Sequence, residues 1–179
     1  MRYVLFLRGI NVGGKKVSME ELRQLLESFG YKNVRTLLNS GNAVFDSRIT
    51  DRSKLIQLIE TELEKKFGST IRIMIRSSDE IQTLIKANPF KDISVTPNTR
   101  LYITFLSDKP THTLKIPYES PEKDFKILKV THGEVISVLT LSPARRTPEA
   151  MSIIEKEFGK YVTTRNWNTV VKVGKLFSA

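Results

Sequence analysis

The amino-acid sequence predicts an α+β protein, and three observations support this prediction. Short apolar runs alternate with segments whose hydrophobic residues recur at helical spacing. The second half of the chain repeats the order of these segments. The length of 179 residues, with 40% hydrophobic and 27% charged side chains, suffices for a buried core and excludes a chain that is disordered throughout.

The first 30 residues predict a strand, a glycine-containing loop and a helix. The apolar run over residues 3–7 has no polar alternation, which is typical of a strand buried on both faces. The loop over residues 9–16 contains three glycines. Ser18 and Glu21 match a capping box, so a helix is expected to begin there. Gly30 is expected to end this helix, because glycine adopts the left-handed conformation easily.

A hairpin, a second helix and a fourth strand complete the first half. In order, these elements are a strand over residues 34–38, a turn over 39–42, a strand over 43–45, a helix capped by Asp51 or Ser53 and ended by Gly68, and a strand over 71–76. The resulting order, βαββαβ, is that of a ferredoxin-like unit.

The second half predicts an imperfect copy of the first. Its first crossover, over residues 110–121, has weak helical character because Pro117 and Pro121 limit it. After residue 167, the spacing of the apolar residues favours a helix, whereas the β-branched run 169–171 suits a strand. The other elements are strands over residues 101–106, 125–130, 135–141 and 161–164 and a helix over 148–158.

The predicted architecture is therefore two tandem ferredoxin-like βαββαβ units with antiparallel sheets. The first unit spans residues 1–77, and a bridging helix and linker span residues 78–98. The second, imperfect unit spans residues 99–179 and includes a C-terminal helix.

The charge balance predicts affinity for anionic partners. Lys and Arg number 29 against 19 Asp and Glu, which gives a net charge of +10. The absence of cysteine excludes disulfides and thiolate metal sites, and two histidines are few for any other metal site, so no metal or cofactor is predicted. The run over residues 3–7 is too short for a signal peptide or a membrane span, which favours a cytoplasmic protein with no membrane partner.

The topology gathers basic and glycine-rich segments at one end of the first sheet. In a βαββαβ unit, the loop after the first strand and the turn between the second and third strands lie at the same end. Glycines there would let backbone N–H groups converge on an anion, the helix beginning at Ser18 would add its dipole, and the edge contains no acid. Tight turns are the alternative explanation for the glycines, since the spacing is not that of a Walker loop. The candidate ligand-binding residues at this end are Arg8, Asn11, Gly13, Gly14, Lys15, Lys16, Ser40, Gly41 and Asn42.

A second group of candidates lies near the C-terminus. Arg165, Asn166 and Asn168 offer hydrogen-bond donors, and Trp167 offers a stacking face for a ligand. The structural alternative is that Trp167 anchors the C-terminal segment to the core and that Asn166 caps a helix.

Three strings resemble the hallmarks of an uncharacterised bacterial family of domains of unknown function, DUF1697. They are RGINVGG over residues 8–14, SGN over 40–42 and TRNWNTV over 164–170. The chain is identified as a member of this family over essentially its whole length, with a departure in the proline-rich crossover over 110–121. The resemblance implies a ferredoxin-like α+β fold and a bacterial cytosolic setting, and it brings no activity and no catalytic residue.

Three functions fit these observations, and the biochemical function remains unknown at this point. The first is a binding protein for a polyanion or nucleic acid at the basic, glycine-rich edge. Base stacking on the sheet surface is disfavoured, because the buried first strand would hide Phe6. The second is an enzyme or sensor for a small phosphorylated or carboxylated ligand, for which no catalytic base is evident. The third is a protein-interaction module. The sequence leaves open the ligand, any reaction and the oligomeric state.

Overall fold

The structure, a computed structural model, describes residues 1–10, 16–37, 40–107 and 110–178. The chain forms two compact units, Met1–Lys86 with Val171–Ala179, and Ala87–Val170. In the described residues each unit contains an antiparallel sheet accompanied by helices. These features confirm the predicted α+β class.

The first unit has a four-stranded sheet in the order β2-β3-β1-β4. Its elements are β1 (Arg2–Leu7), α1 (Met19–Ser28), β2 (Lys32–Leu37), β3 (Asn42–Asp46), α2 (Arg52–Phe67), β4 (Ile73–Ser77) and α3 (Ser78–Ala87). The central strand β1 pairs antiparallel with both β3 and β4. The loop after β1, the β2–β3 turn and the start of β4 are therefore at one end of the sheet.

Local capping signals set the bounds of the first two helices. The Ser18 hydroxyl accepts a hydrogen bond from the Glu21 amide at 3.1 Å, and the Glu21 carboxylate accepts one from the Ser18 hydroxyl at 2.7 Å. Of the two predicted caps for α2, Asp51 is the one that forms, because its carboxylate accepts from the Lys54 amide at 3.1 Å. Gly68 ends α2 in the left-handed conformation, with φ of 65°.

Burial of β1 on both faces confirms the prediction made from its apolar run. Tyr3, Leu5 and Leu7 join the core formed with α1 and α2, and Val4 and Phe6 on the opposite face are also buried. The helix residues in this core are Leu22, Leu26, Leu55, Ile59 and Leu63. Apolar burial of this extent is the main stabilising contribution to a small unit.

The second unit has a five-stranded sheet in the order β6-β7-β8-β5-β9. Its elements are β5 (Thr99–Leu106), β6 (Tyr118–Glu119), β7 (Phe125–Val130), β8 (Glu134–Thr140), α4 (Thr147–Phe158), β9 (Val162–Asn166) and α5 (Trp167–Lys175). Without β6, its strand order repeats that of the first sheet. As its prolines indicate, the crossover contains no helix over residues 110–117, and the two-residue strand β6 follows.

The C-terminal segment forms a helix, and its last residues belong to the first unit. The predicted division placed the whole segment in the second unit. Instead, the Gln82 amide donates to the Gly174 carbonyl at 3.1 Å, Gly174 lies against Ile85, and Arg2 donates to the Phe177 carbonyl. The tail has apolar and carbonyl groups that need partners, but its sequence does not say which unit provides them. None of the described helices combines the length and apolar character needed to cross a membrane.

A buried ionic network stabilises the loop between β8 and α4. The Asp124 carboxylate accepts from the Arg145 guanidinium at 2.6 Å and from the Ser120 and Ser142 hydroxyls at 2.9 Å each. Burial acts to raise the pKa of Asp124, but these hydrogen bonds and the charge of Arg145 outweigh burial and hold the pKa below its usual value. The ionised form of Asp124 therefore stabilises the second unit.

We predict that Asp124→Asn lowers the free energy of unfolding by about 2–3 kcal/mol at neutral pH, because the charge-assisted bond to Arg145 is lost. The pKa of Asp124 is lower in the folded state, so its contribution is complete above the unfolded pKa and is lost as the pH falls through the folded pKa. Urea denaturation of both proteins at pH 7, 5 and 3 should therefore show a difference that shrinks below about pH 4. A difference that is constant with pH would contradict this role.

We also predict that Ser137→Ala stabilises the protein. Within the described part of the chain, the Ser137 hydroxyl on β8 is fully buried without a hydrogen-bond partner. A buried unsatisfied hydroxyl costs about 1–3 kcal/mol, so its removal should raise the free energy of unfolding by about 1 kcal/mol in urea titrations. Ser120→Ala is the matched control, because the Ser120 hydroxyl bonds to Asp124 and to the Phe125 amide, and its loss should destabilise. Equal effects of the two changes would refute the explanation.

Candidate functional site

The end of the first sheet holds the first group of candidate residues. The Leu7 amide donates to the Gly41 carbonyl at 2.8 Å, and the Arg8 amide donates to the Arg72 carbonyl at 2.9 Å. These two bonds place Arg8 beside the β2–β3 turn on one side and beside the start of β4 on the other. The exposed Ser40 lies in the same turn.

Gly41 and Asn42 build the turn and are not presented to solvent. Gly41 has φ of 77°, and a Cβ atom there would lie 2.6 Å from Ile10 Cδ1 and 2.7 Å from Leu7 Cβ. The position therefore requires glycine for both its conformation and its close contacts. Asn42 is 1% exposed, and its side-chain amide donates to the Leu37 carbonyl at 2.7 Å. These contacts account for both residues as structural elements of the hairpin.

The N-terminus of α1 already carries a negative charge. Glu21 completes the capping box with Ser18, and the hydrogen bond from the Ser18 side chain holds the pKa of Glu21 below its usual value. A carboxylate in the first helical turn interacts favourably with the positive end of the helix dipole. The expectation that this dipole is available to a bound anion is therefore weakened, because the helix's own side chain occupies the position.

The expectation that this edge contains no acid is wrong. Glu60 of α2 accepts from the Arg72 guanidinium at 2.6 Å and from the Ile73 amide at 2.9 Å. Its side chain is 15% exposed, so the carboxylate lies against the start of β4. The sequence gives no sign of this pairing, because Glu60 on α2 and Arg72 before β4 are 12 positions apart.

The cations that this end of the sheet offers to solvent are thus fewer than predicted. Arg8 is half-buried, Lys16 is exposed, and the charge of Arg72 is balanced in part by Glu60. Four candidates, Asn11, Gly13, Gly14 and Lys15, lie outside the described residues. Over the described ranges, no cluster of three or more His, Asp or Glu side chains could hold a metal ion.

The second group of candidates lies where β9 continues directly into α5. Arg165 is 8% exposed and donates to the Thr163 hydroxyl at 2.8 Å and to the Thr164 carbonyl at 2.9 Å. Burial lowers the pKa of Arg165 to about 10, because a low-polarity environment disfavours the charged form. Asn166 and Asn168, in contrast, are exposed.

Trp167 packs against a buried aromatic side chain of the same unit. Its ring lies edge-on to the ring of Phe90, with 5.4 Å between the centroids, and Phe90 is buried. Aromatic pairs in this geometry stabilise a packed segment beyond the area they bury. The contact supports the anchoring interpretation of Trp167 over a free stacking face.

Sequence reasoning missed a second buried arginine, which occupies the same position in the first unit. Arg76 faces Val4 of β1, as Arg165 faces Ile103 of β5, and each donates to the carbonyl of the preceding residue at 2.9 Å. In both units a helix begins two residues later. Alignment of residues 73–78 with residues 162–167 is the signal that could have found Arg76.

Comparisons with known proteins agree with this architecture and assign no activity. No functionally curated protein matches the chain. Among solved structures, the chain is similar to the conserved bacterial protein SP0830 from Streptococcus pneumoniae, with 25% identity and a TM-score of 0.72 over 98% of this chain and 97% of that one. The family described as "Protein of unknown function (DUF1697)" matches residues 1–136. That match covers well over half of the sequence, and the chain therefore belongs to the DUF1697 family.

Proposed function

We propose that the protein binds nucleic acid through its phosphates, at the end of the first sheet where β1 stops. The observation that supports this most directly is the placement of Arg8 by two backbone hydrogen bonds, at the Leu7–Gly41 and Arg8–Arg72 contacts. These bonds fix the backbone of Arg8 at an edge that also carries the exposed Lys16. The net charge of +10 favours the approach of a polyanion to this edge.

The charges extend from this end along the neighbouring edge strand. Lys32 and Arg35 are exposed on β2, which is the outermost strand of the sheet and leads into the same turn. Separate exposed cations suit a ligand with many regularly spaced phosphates, since each contact adds its own share of counterion release.

A small phosphorylated ligand is the weaker alternative. Its site would use a helix N-terminus as the main source of positive potential. The Glu21 carboxylate occupies that position at α1, and Glu60 adds a second negative charge near Arg72. A single phosphate would therefore face a carboxylate both at the N-terminus of α1 and beside Arg72, where it would need hydrogen-bond donors.

The proposed contacts are to the backbone of the nucleic acid and not to its bases. Phe6, the aromatic side chain of β1 that could have stacked on a base, is 0% exposed. Phosphate contacts position a protein without reading sequence. We therefore expect binding that depends strongly on salt and weakly on base composition.

The test is a titration of fluorescein-labelled oligothymidylate and oligouridylate of about 20 nucleotides, longer than a typical single-domain binding site. We predict that the affinity falls steeply between about 50 and 300 mM salt. In the variant R8Q/K16Q, the slope of log affinity against log salt should decrease by about 1.4, because two single-strand phosphate contacts are lost. The Lys16 change lies at an exposed position and should leave the stability within about 0.5 kcal/mol, and urea unfolding of the double variant checks that the change at the half-buried Arg8 leaves the protein folded.

The matched control is R48Q/K54Q, which removes the same charge from exposed positions in the first unit. Both residues lie at the other end of the sheet, Arg48 after β3 and Lys54 in the first turn of α2. This control should bind nearly as well as the wild type. Equal losses in the two variants would show that net charge, and not this edge, drives binding. Failure of the wild type to bind at low salt would exclude the proposed function.

A further inference from the structure

We propose that a cleft in the second unit binds a small organic cation that carries an aromatic ring. The cleft has a volume of about 280 Å³, and its lining includes Leu106, Ser107, Thr111, Glu157, Phe158 and Tyr161. The inference is independent of nucleic-acid binding, because all of these residues belong to the second unit.

The cleft occupies the position in the second unit that the basic edge occupies in the first. The Leu106 amide donates to the Gly133 carbonyl at 2.8 Å, as Leu7 does to Gly41. Leu106 pairs with Val162 of β9, as Leu7 pairs with Ile73 of β4.

At the matching positions, the second unit has neutral side chains where the first unit has two arginines. Ser107 follows Leu106 where Arg8 follows Leu7, and Tyr161 precedes β9 where Arg72 precedes β4. The two sheet ends therefore share a backbone arrangement and differ in chemistry. The second end cannot offer the cations that an anionic ligand would need at these two positions.

Glu157 gives the cleft a negative charge. It lies in the last turn of α4, and its carboxylate accepts from the Thr113 amide at 3.1 Å and from the Thr113 hydroxyl at 3.0 Å. The hydrogen bond from the Thr113 backbone holds the pKa of Glu157 below its usual value, so the group is ionised at neutral pH. The C-terminal carbonyls of α4 carry partial negative charge of the same sign. Both contributions favour a bound cation.

Aromatic and apolar groups form the remaining walls. Tyr161 lines the cleft and is 60% exposed, and Phe158 is half-buried with its ring 5.5 Å from that of His112. The face of an aromatic ring attracts a cation, and the buried Leu106 supplies an apolar floor. The hydroxyl of Thr111 can accept a hydrogen bond from an ammonium group.

The volume limits the size of the ligand. At about 280 Å³ the cleft is slightly smaller than the usual small-molecule sites of roughly 300–1,000 Å³. A primary ammonium joined to one aromatic ring by a short chain is small enough for this volume, and its charge and ring suit the carboxylate and the aromatic side chains of the lining. The chemical class is therefore an arylalkylammonium ion.

The experiment uses three probes of similar size and shape that differ in charge. Each of the three probes, 2-phenylethylammonium, 2-phenylethanol and 3-phenylpropionate, is titrated into the full chain. Binding is monitored through the amide NMR signals of Ser107, Thr111, Gly159 and Tyr161. The ammonium should shift these signals at concentrations about tenfold lower than the alcohol, and the carboxylate should not shift them. No shift with the ammonium, or equal shifts with the carboxylate, would overturn the proposal.

Two variants and one control locate the interaction. Glu157→Gln should weaken the ammonium about tenfold and leave the alcohol unchanged, while its amide oxygen can still accept from Thr113. Tyr161→Ala should weaken both, because the ring face is lost. Glu155→Gln removes the same charge from the same helix outside the cleft lining and should change neither. Equal weakening by the Glu155 and Glu157 changes, or full binding by Tyr161→Ala, would refute the assigned site.

Discussion

The hydrogen bond from Leu7 to Gly41 is the contact on which the first sheet end depends. It closes the β2–β3 turn against the central strand, and Gly41 permits this because a side chain there would overlap Leu7 and Ile10. Any larger residue would force the turn away from β1 and displace Arg8. The backbone position of Arg8 is thus set in part by the glycine at position 41. The same bond between Leu106 and Gly133 sets the corresponding end of the second sheet.

Burial of the central strands determines where function can reside. Both faces of β1 are buried, as are Ile103 and Phe105 in β5, so these strand faces offer little surface to a ligand. The strand ends, in contrast, lie beside turns and helix termini that also carry exposed side chains, such as Lys16 and Ser40. These side chains can vary in charge without a large loss of stability. Binding chemistry is therefore expected at the sheet ends, where the two units differ.

Patterns within a few residues of sequence predicted much of the fold, but they could not predict which residues pair when they are far apart in the sequence. The capping box at Ser18, the Gly68 stop and the buried run of β1 each lie within a few residues of sequence, and each is confirmed. The Glu60–Arg72 and Asp124–Arg145 pairs join residues that are 12 and 21 positions apart in the sequence. No local pattern distinguishes such pairs from solvated surface charges. For the same reason, the apolar stripe of the C-terminal helix did not identify the unit against which it packs.

The two units share a buried arginine near the end of the last strand of each sheet, and they differ in the side chains at the sheet ends. Burial of a guanidinium is costly unless hydrogen bonds compensate, yet Arg76 and Arg165 occupy one register position and make the same bond to the preceding carbonyl. Both units therefore bury an arginine at the same position despite the unfavourable free energy of burial. This indicates that the two arginines have the same structural role, at the point where the last strand of each sheet continues directly into a helix. Arg8 and Arg72, in contrast, have Ser107 and Tyr161 as their counterparts. If Arg76 and Arg165 have a structural role in both units, the side chains that differ between the two sheet ends are the ones that can give the units different ligand preferences.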